Sequence, residues 1–447
     1  MFSMSLSSAH AATPVKAGPN VNIIPGNDRQ QAETTVAVDP RNPSIVVAGA
    51  QDYNLQSGCC PPSGHRWHGY YRSTDGGKTW STSLVPGFPG DNSPQGLASP
   101  LHGFELTSDP VLAFDRAGNV YYTGIALSFS KGGNVNSVSG FVAKYSNDGA
   151  DFAGATLISF GRDKPWIAVD VSGGTNDGNI YVVLGTGSFK NLVGSMFTRS
   201  TDHGATFSDP ILLSTSAFVT GVAMDQAGTI FVSFLGNSNI PVSRSTDGGI
   251  TFTSVTVAAT IVEVCCQFQG NRFRVLTLPQ IAADSKGVYI VWDDNRTGDS
   301  DVLFSRSLDK GLTWSSPLRI NDVTLGLQFF PTIAVSDGTI SVAWYDSRLG
   351  QLSNGTIAGL DLFYARSTDA GTSFSKNLRV TSSSFNPNAV RTVDFARNGP
   401  FMGDYIQIAA GSGTAHPVWA DNRNACDLVD QSLGCLDEDA FTATITY

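Results

Sequence analysis

Glu33, Asp109 and Asp404, with Tyr405 beside the last, are the side chains whose types and spacing could do chemistry. Each stands at or next to the first residue of a recurring segment: ETTVAVD (33–39), DPVLAFD (109–115), KPWIAVD (164–170), VTGVAMD (219–225), LPQIAAD (278–284), FPTIAVS (330–336) and a seventh copy from Gly403. Aligned, the copies lead with Glu33, Asp109, Lys164, Val219, Leu278, Phe330 and Gly403, and Asp163, Asp404 and Tyr405 are adjacent. One half of this series is charged and the other apolar. Cleaving a glycosidic bond takes two carboxyl groups around a sugar, or a Tyr nucleophile helped by one. Glu33, Asp109 and Asp404 with Tyr405 supply those types. The plainer alternative is structural: Asp109 and Asp404 cap turns, and Glu33 pairs with Lys164.

Each lead residue opens an apolar, alternating stretch that reads as a strand. A tight turn and a second, aromatic-rich strand follow, such as NVYYTGI or GVYIVWD. A third strand then runs into a turn of the type STDGGKTW (73–80), repeated as SNDGADF (146–152), STDHGATF (200–207), STDGGITF (245–252), SLDKGLTW (307–314) and STDAGTSF (367–374). In that turn the Asp can accept backbone N–H groups, Gly supplies a positive φ, and the closing Trp or Phe buries its ring. Strand a, turn, strand b, loop, strand c, Asp turn, strand d is a four-stranded propeller blade. The seventh copy runs out of chain after its third strand. Val21-Asn22-Ile23-Ile24-Pro25 resembles the fourth-strand segments PLRIND and NLRVT. An all-β propeller of seven blades, closed by the N-terminal strand, is therefore expected; the alternative is six blades with an appended segment.

The a–b turns are short, whereas the b–c and d–a connections are long: residues 52–66, 87–108, 261–277, 346–360, 381–402 and 421–439. Both long classes fall on the face opposite the Asp turns, and long loops on a rigid scaffold are where binding and chemistry concentrate. All six cysteines lie in them. Cys426 with Cys435 reads as a local disulfide. Cys59-Cys60 and Cys265-Cys266 could cross-link, form vicinal pairs, or join His65 and His68 in a thiolate metal site. Disulfides are the expectation, with no metal and no cofactor.

The 447 residues carry a net charge of −10, which excludes nucleic acid and anionic membrane as expected partners. Only four acids are Glu (33, 105, 263 and 438), so most carboxylates are turn-forming Asp. No stretch is apolar enough to span a membrane. Ala9-His10-Ala11 resembles a signal-peptidase site, and six cysteines suit an oxidising compartment. The expectation is a secreted monomer: residues 1–19 signal-like or disordered, with cleavage after Ala11, and 20–447 a single propeller.

The Asp turns resemble the Asp-box (BNR) repeats of the sialidase superfamily and cover essentially the whole chain. DKPWIAVD, STDGGITF and the C-terminal GDY…HPVWADNR resemble secreted bacterial exo-α-sialidase-like proteins. That resemblance implies a hydrolase cutting a terminal acidic sugar, with an arginine triad holding its carboxylate. No Phe-Arg-Ile-Pro precedes the first Asp turn; Phe273-Arg274-Val275-Leu276 is the nearest echo. Arg296, Arg348 and Arg423 recur on successive blades in WDDNR, WYDSR and WADNR, and either bind a ligand carboxylate bidentately or clasp the Asp two residues earlier. Arg272, Arg274 and Arg391 lie in long loops without such a repeated Asp, and Lys164 joins them as a substrate-binding candidate. His65 and His68 close the blade-1 loop, where a His could serve as base in a uronate-directed lyase. A non-catalytic glycan- or protein-binding propeller is the remaining alternative.

Overall fold

The structure is a computed structural model that describes residues 14–26, 30–53, 66–131, 135–158, 160–161, 163–189, 192–253, 256–389, 400–424 and 438–447. Six four-stranded antiparallel sheets follow one another along the chain, each in simple a-b-c-d order. Their inner strands are Gln31–Val38, Leu106–Phe114, Asp163–Val169, Phe218–Met224, Gln280–Ala283 and Gln328–Ser336. The seventh sheet is composite. Gln407–Gly411 pairs with Thr414–Asp421, which pairs in turn with Asp439–Thr442, and the N-terminal Val21–Asn22 adds outside it, Val21 opposite Thr442 and Asn22 opposite Phe441. Lys16–Ala17 also pairs with Ile445–Thr446, so closure takes in residues before the expected boundary at 20. The seven-bladed ring closed by its own N-terminus is the observed fold.

Interblade packing is aromatic. Trp67, Trp292, Trp344 and Trp419 are fully buried, the first on the third strand of its blade and the other three on second strands. In the last three the indole N–H donates to the Asp two residues on, at 2.9 Å (Asp294), 3.1 Å (Asp346) and 2.8 Å (Asp421). A buried indole needs such an acceptor.

Five of the six Asp turns share one wiring. In the first, Gly77 N–H donates to Ser73 Oγ (2.9 Å), while Lys78 N–H, Thr79 N–H and Thr79 Oγ1 donate to the Asp75 carboxylate at 3.0, 2.9 and 2.6 Å. Asp202, Asp247, Asp309 and Asp369 hold their turns the same way. The exception is SNDGADF, which lacks the Thr; Asn147 and Asp148 there both take φ near 55°, and Asp148 instead ion-pairs with Arg41 of blade 1. Antiparallel order puts every one of these turns at the end of the ring away from the lead residues of the inner strands.

The lead residues share a backbone feature that the sequence did not announce. Glu33, Asp109, Lys164 and Phe330 have φ of 52°, 59°, 47° and 50°, and Gly403 has 89°. At the four non-Gly positions the ladder register to strand b slips, the mark of a β-bulge. Pro110, Pro165 and Pro331 follow three of them, so no ladder N–H is orphaned there. Left-handed backbone at non-Gly residues is costly and persists where surrounding structure imposes it. The bulge turns the lead side chain out of the strand's alternation and toward the ring's axis.

Candidate functional site

The outcome is a charged cluster drawn from four blades. Lys164 Nζ lies 3.1 Å from Glu33 Oε1, 3.2 Å from Asp109 Oδ1 and 2.5 Å from Asp404 Oδ2. All four side chains are at most 7% exposed. Arg274 reaches in from the loop hairpin between blades 4 and 5, and its Nε and one Nη bind the two oxygens of Asp404 at 2.7 and 2.5 Å. Gln51 donates to Glu33 and, at 2.9 Å, to Ser108 Oγ. Above the cluster opens a cavity of about 520 Å³. Its charged wall is completed by Asp163, Arg66 and Glu263, and its other wall is apolar, with Phe218, Leu235, Leu278 and Phe401.

Burial and charge push the carboxyls apart. Desolvation raises Glu33 to about 8, overriding Lys164, with Asp109 and Asp404 adding to the rise. Asp404 is lowered although burial opposes it, because Lys164 and Arg274 both hold its charged form. Asp163 opens to the cavity yet stands between protein walls; that desolvation first, then the charge of Asp109, raises it to about 6. Lys164 is raised well above its ordinary value by its carboxylates, against burial. At neutral pH the site thus holds a protonated carboxyl, Glu33, beside an ionised one, Asp404.

The other expected residues fall elsewhere. Tyr405 is buried outside the cavity lining, its hydroxyl donating to Pro110 O at 3.1 Å and its ring lying 5.5 Å beneath Lys164 Nζ. It forms the support under the lysine and does not present a nucleophile. His68 is a correction: it is fully buried in strand Trp67–Ser73, its ring against Tyr122 and Phe141, and desolvation lowers it to about 3, so it offers neither a rim ligand nor an exposed base. Arg296, Arg348 and Arg423 are also corrected, because each clasps its own Asp (294, 346, 421) bidentately or through backbone and side chain, away from the cavity. The same Asp grips the Trp indole, so the repeated W-x-D-x-R is a structural staple. Arg272 lies outside the cavity lining, its N–H on Asn388 Oδ1. His65, Arg391 and Cys59, Cys60, Cys426 and Cys435 lie outside the described residues. Cys265 and Cys266 sit sulfur to sulfur in a two-stranded rim hairpin with Val275–Leu276, the arrangement of the vicinal alternative, and Cys265 lines the cavity.

Gln51, Ser108 and Arg66 were not singled out from sequence. Ser108 immediately precedes the lead Asp109, as Asp163 precedes Lys164, so the position before the lead residue carries that signal. Arg66 sits between the two histidines that drew attention to its loop.

Fold and cavity together define a seven-bladed propeller with a charged pocket at the mouth of its ring. No family model matches the chain, and no curated protein does. Solved structures similar to it include the Hadza microbial sialidase Hz136 (15% identity, 71% of this chain and 64% of that one, TM-score 0.48). The intramolecular trans-sialidase from Ruminococcus gnavus is similar at 13% identity, over 93% of this chain and 94% of that one, with a TM-score of 0.44. A protein of unknown function from Dyadobacter fermentans is similar at 14% identity, over 74% and 94%, with a TM-score of 0.47. Among the described residues no helix is long and apolar enough to cross a membrane.

Proposed function

We propose that the protein is a glycoside hydrolase acting at a sugar terminus, and that Glu33 and Asp404 are its catalytic pair. The observation that carries this is the opposed protonation of two carboxyls beside one cavity, Glu33 raised to about 8 and Asp404 held low. Glycosidic cleavage needs one carboxyl to give a proton to the leaving oxygen and an ionised one to meet the positive charge on the sugar ring. Asp109 and Lys164 set the field around both. The cavity is floored by the cluster, which favours a chain end over an internal segment. Extracellular action fits the Ala9-His10-Ala11 segment and the six cysteines.

A binding module is the second reading, favoured by the enclosure of Lys164 by three carboxyl groups of the protein itself. Incubation with a panel of neutral, acidic and amino-sugar oligosaccharides, with products identified by mass, separates the two. Turnover by the parent protein that Glu33→Gln and Asp404→Asn each reduce by at least ~10²-fold supports hydrolysis. Binding without any product in the whole panel makes it a binding module. The lyase alternative lost His68 to the core; an unsaturated product would revive it.

A further inference from the structure

We infer that the sugar taken by this cavity carries a free ammonium group, a reading that rests on the cavity being the substrate site. The unspent charge facing the cavity is negative. Five carboxyl residues line it, Glu33, Asp109, Asp163, Glu263 and Asp404, against three cations, Arg66, Lys164 and Arg274. Two of the cations are spent on carboxyls. Lys164 is enclosed by three carboxyl groups. Arg274 spends two nitrogens on Asp404. Arg66 reaches Ser108 at 3.5 Å and has a further partner beside it. By contrast, the side chains of Asp163 and Glu263 are exposed at the cavity and make no hydrogen bond or ion pair among the described residues.

Charge complementarity follows from that inventory. A ligand carboxylate would meet Asp163 and Glu263 with Lys164 and Arg274 already set against buried carboxyls, and like-charge juxtaposition is strongly unfavourable in a walled site. An ammonium would meet two open carboxylates from two blades' edges, in a cavity whose opposite wall can cover the apolar face of a sugar ring. The net charge of −10 draws cations toward the molecule before contact. The acidic sugar implied by family resemblance is therefore replaced by an amino sugar.

Calorimetric titration of the intact protein decides this without any need for turnover. The probes are the fully deacetylated tetramer of β-1,4-glucosamine, its N-acetylated counterpart and sialyllactose. The deacetylated tetramer is expected to bind most tightly, by about tenfold or more over the other two, and to weaken as salt rises. Asp163→Asn and Glu263→Gln should each weaken it by about fivefold without lowering the melting temperature, because neither side chain makes a bond that holds the fold. Equal or tighter binding of the acetylated or acidic probe overturns the inference, as does no binding of the amine probe, or affinity indifferent to both substitutions. Tight amine binding without any cleavage would uphold it while removing the hydrolase reading.

Discussion

Lys164 and Asp404, 240 positions apart, meet Nζ to Oδ2 at 2.5 Å across the mouth of the ring. One belongs to blade 3 and the other leads into blade 7, so the contact exists only once the ring has closed. Removing the cation leaves three buried carboxyl groups, Asp404 among them ionised, without it. Lys164→Met should destabilise by about 3–5 kcal/mol at pH 8, the usual cost of breaking a buried charge pair from one side. Without the lysine the carboxyls are driven toward their neutral forms, so the deficit should shrink as pH falls from 8 to 5. Urea midpoints of both proteins across that range check this; a deficit independent of pH would contradict it.

Glu33 makes its own pH signature. Its folded value, about 8, lies above the ordinary 4.5, so the folded state holds a proton that the unfolded chain releases. The stability this contributes is fully present below pH 4.5 and is lost as pH rises through 8. Glu33→Gln should flatten the fall in stability between those limits. Thermal unfolding at pH 5, 6.5 and 8 measures the slope; a slope retained in the variant would assign it to another group.

The Asp turns should matter for stability and not for ligand. Asp75 accepts four donors from its turn and is lowered to about 2, first by the Thr79 hydroxyl. Asp75→Ala should cost about 1–2 kcal/mol, comparable to losing a helix cap. Ligand affinity and any turnover should stay at parental values, because the turn lies at the far end of the ring. A change in affinity larger than twofold would show that the two faces communicate.

Closure of the ring depends on a few N-terminal residues. Deleting residues 1–24 exposes the outer edge of Asp439–Thr442 that Val21–Asn22 covers, and removes the buried Ile23. An open edge invites pairing between molecules. The truncated protein should lose cooperative unfolding and aggregate on concentration, visible by light scattering. A monodisperse, cooperatively folding truncation would mean that six blades suffice.

The blade repeat was legible because its signals are local. Alternating strands, a Ser-x-Asp-x-Gly turn and short a–b connections each need only neighbouring residues, and the missing fourth strand of the last blade pointed to Val21–Asn22. The charged cluster was partly legible, since aligning the repeats put Glu33, Asp109 and Lys164 at one position. What alignment could not give was direction. His68 and Ser108 both flank long loops, yet His68 faces the core between Tyr122 and Phe141 while Ser108 faces Gln51. That choice is made by strand alternation and by the bulge, which shifts the phase by one residue. Arg274 looked no better than Arg272 two positions earlier, because the partner that fixes it, Asp404, comes from a different blade.

The left-handed lead position recurs at Glu33, Asp109, Lys164, Phe330 and Gly403; Val219 and Leu278, the two without it, fall on the apolar side. Because the bulge, and not the side chain, sets the direction, each such residue is a socket on a turret. Glu, Asp, Lys, Phe and Gly already occupy the same socket in one chain. The ring can therefore be re-dressed one socket at a time, with the aromatic packing between blades left as it is.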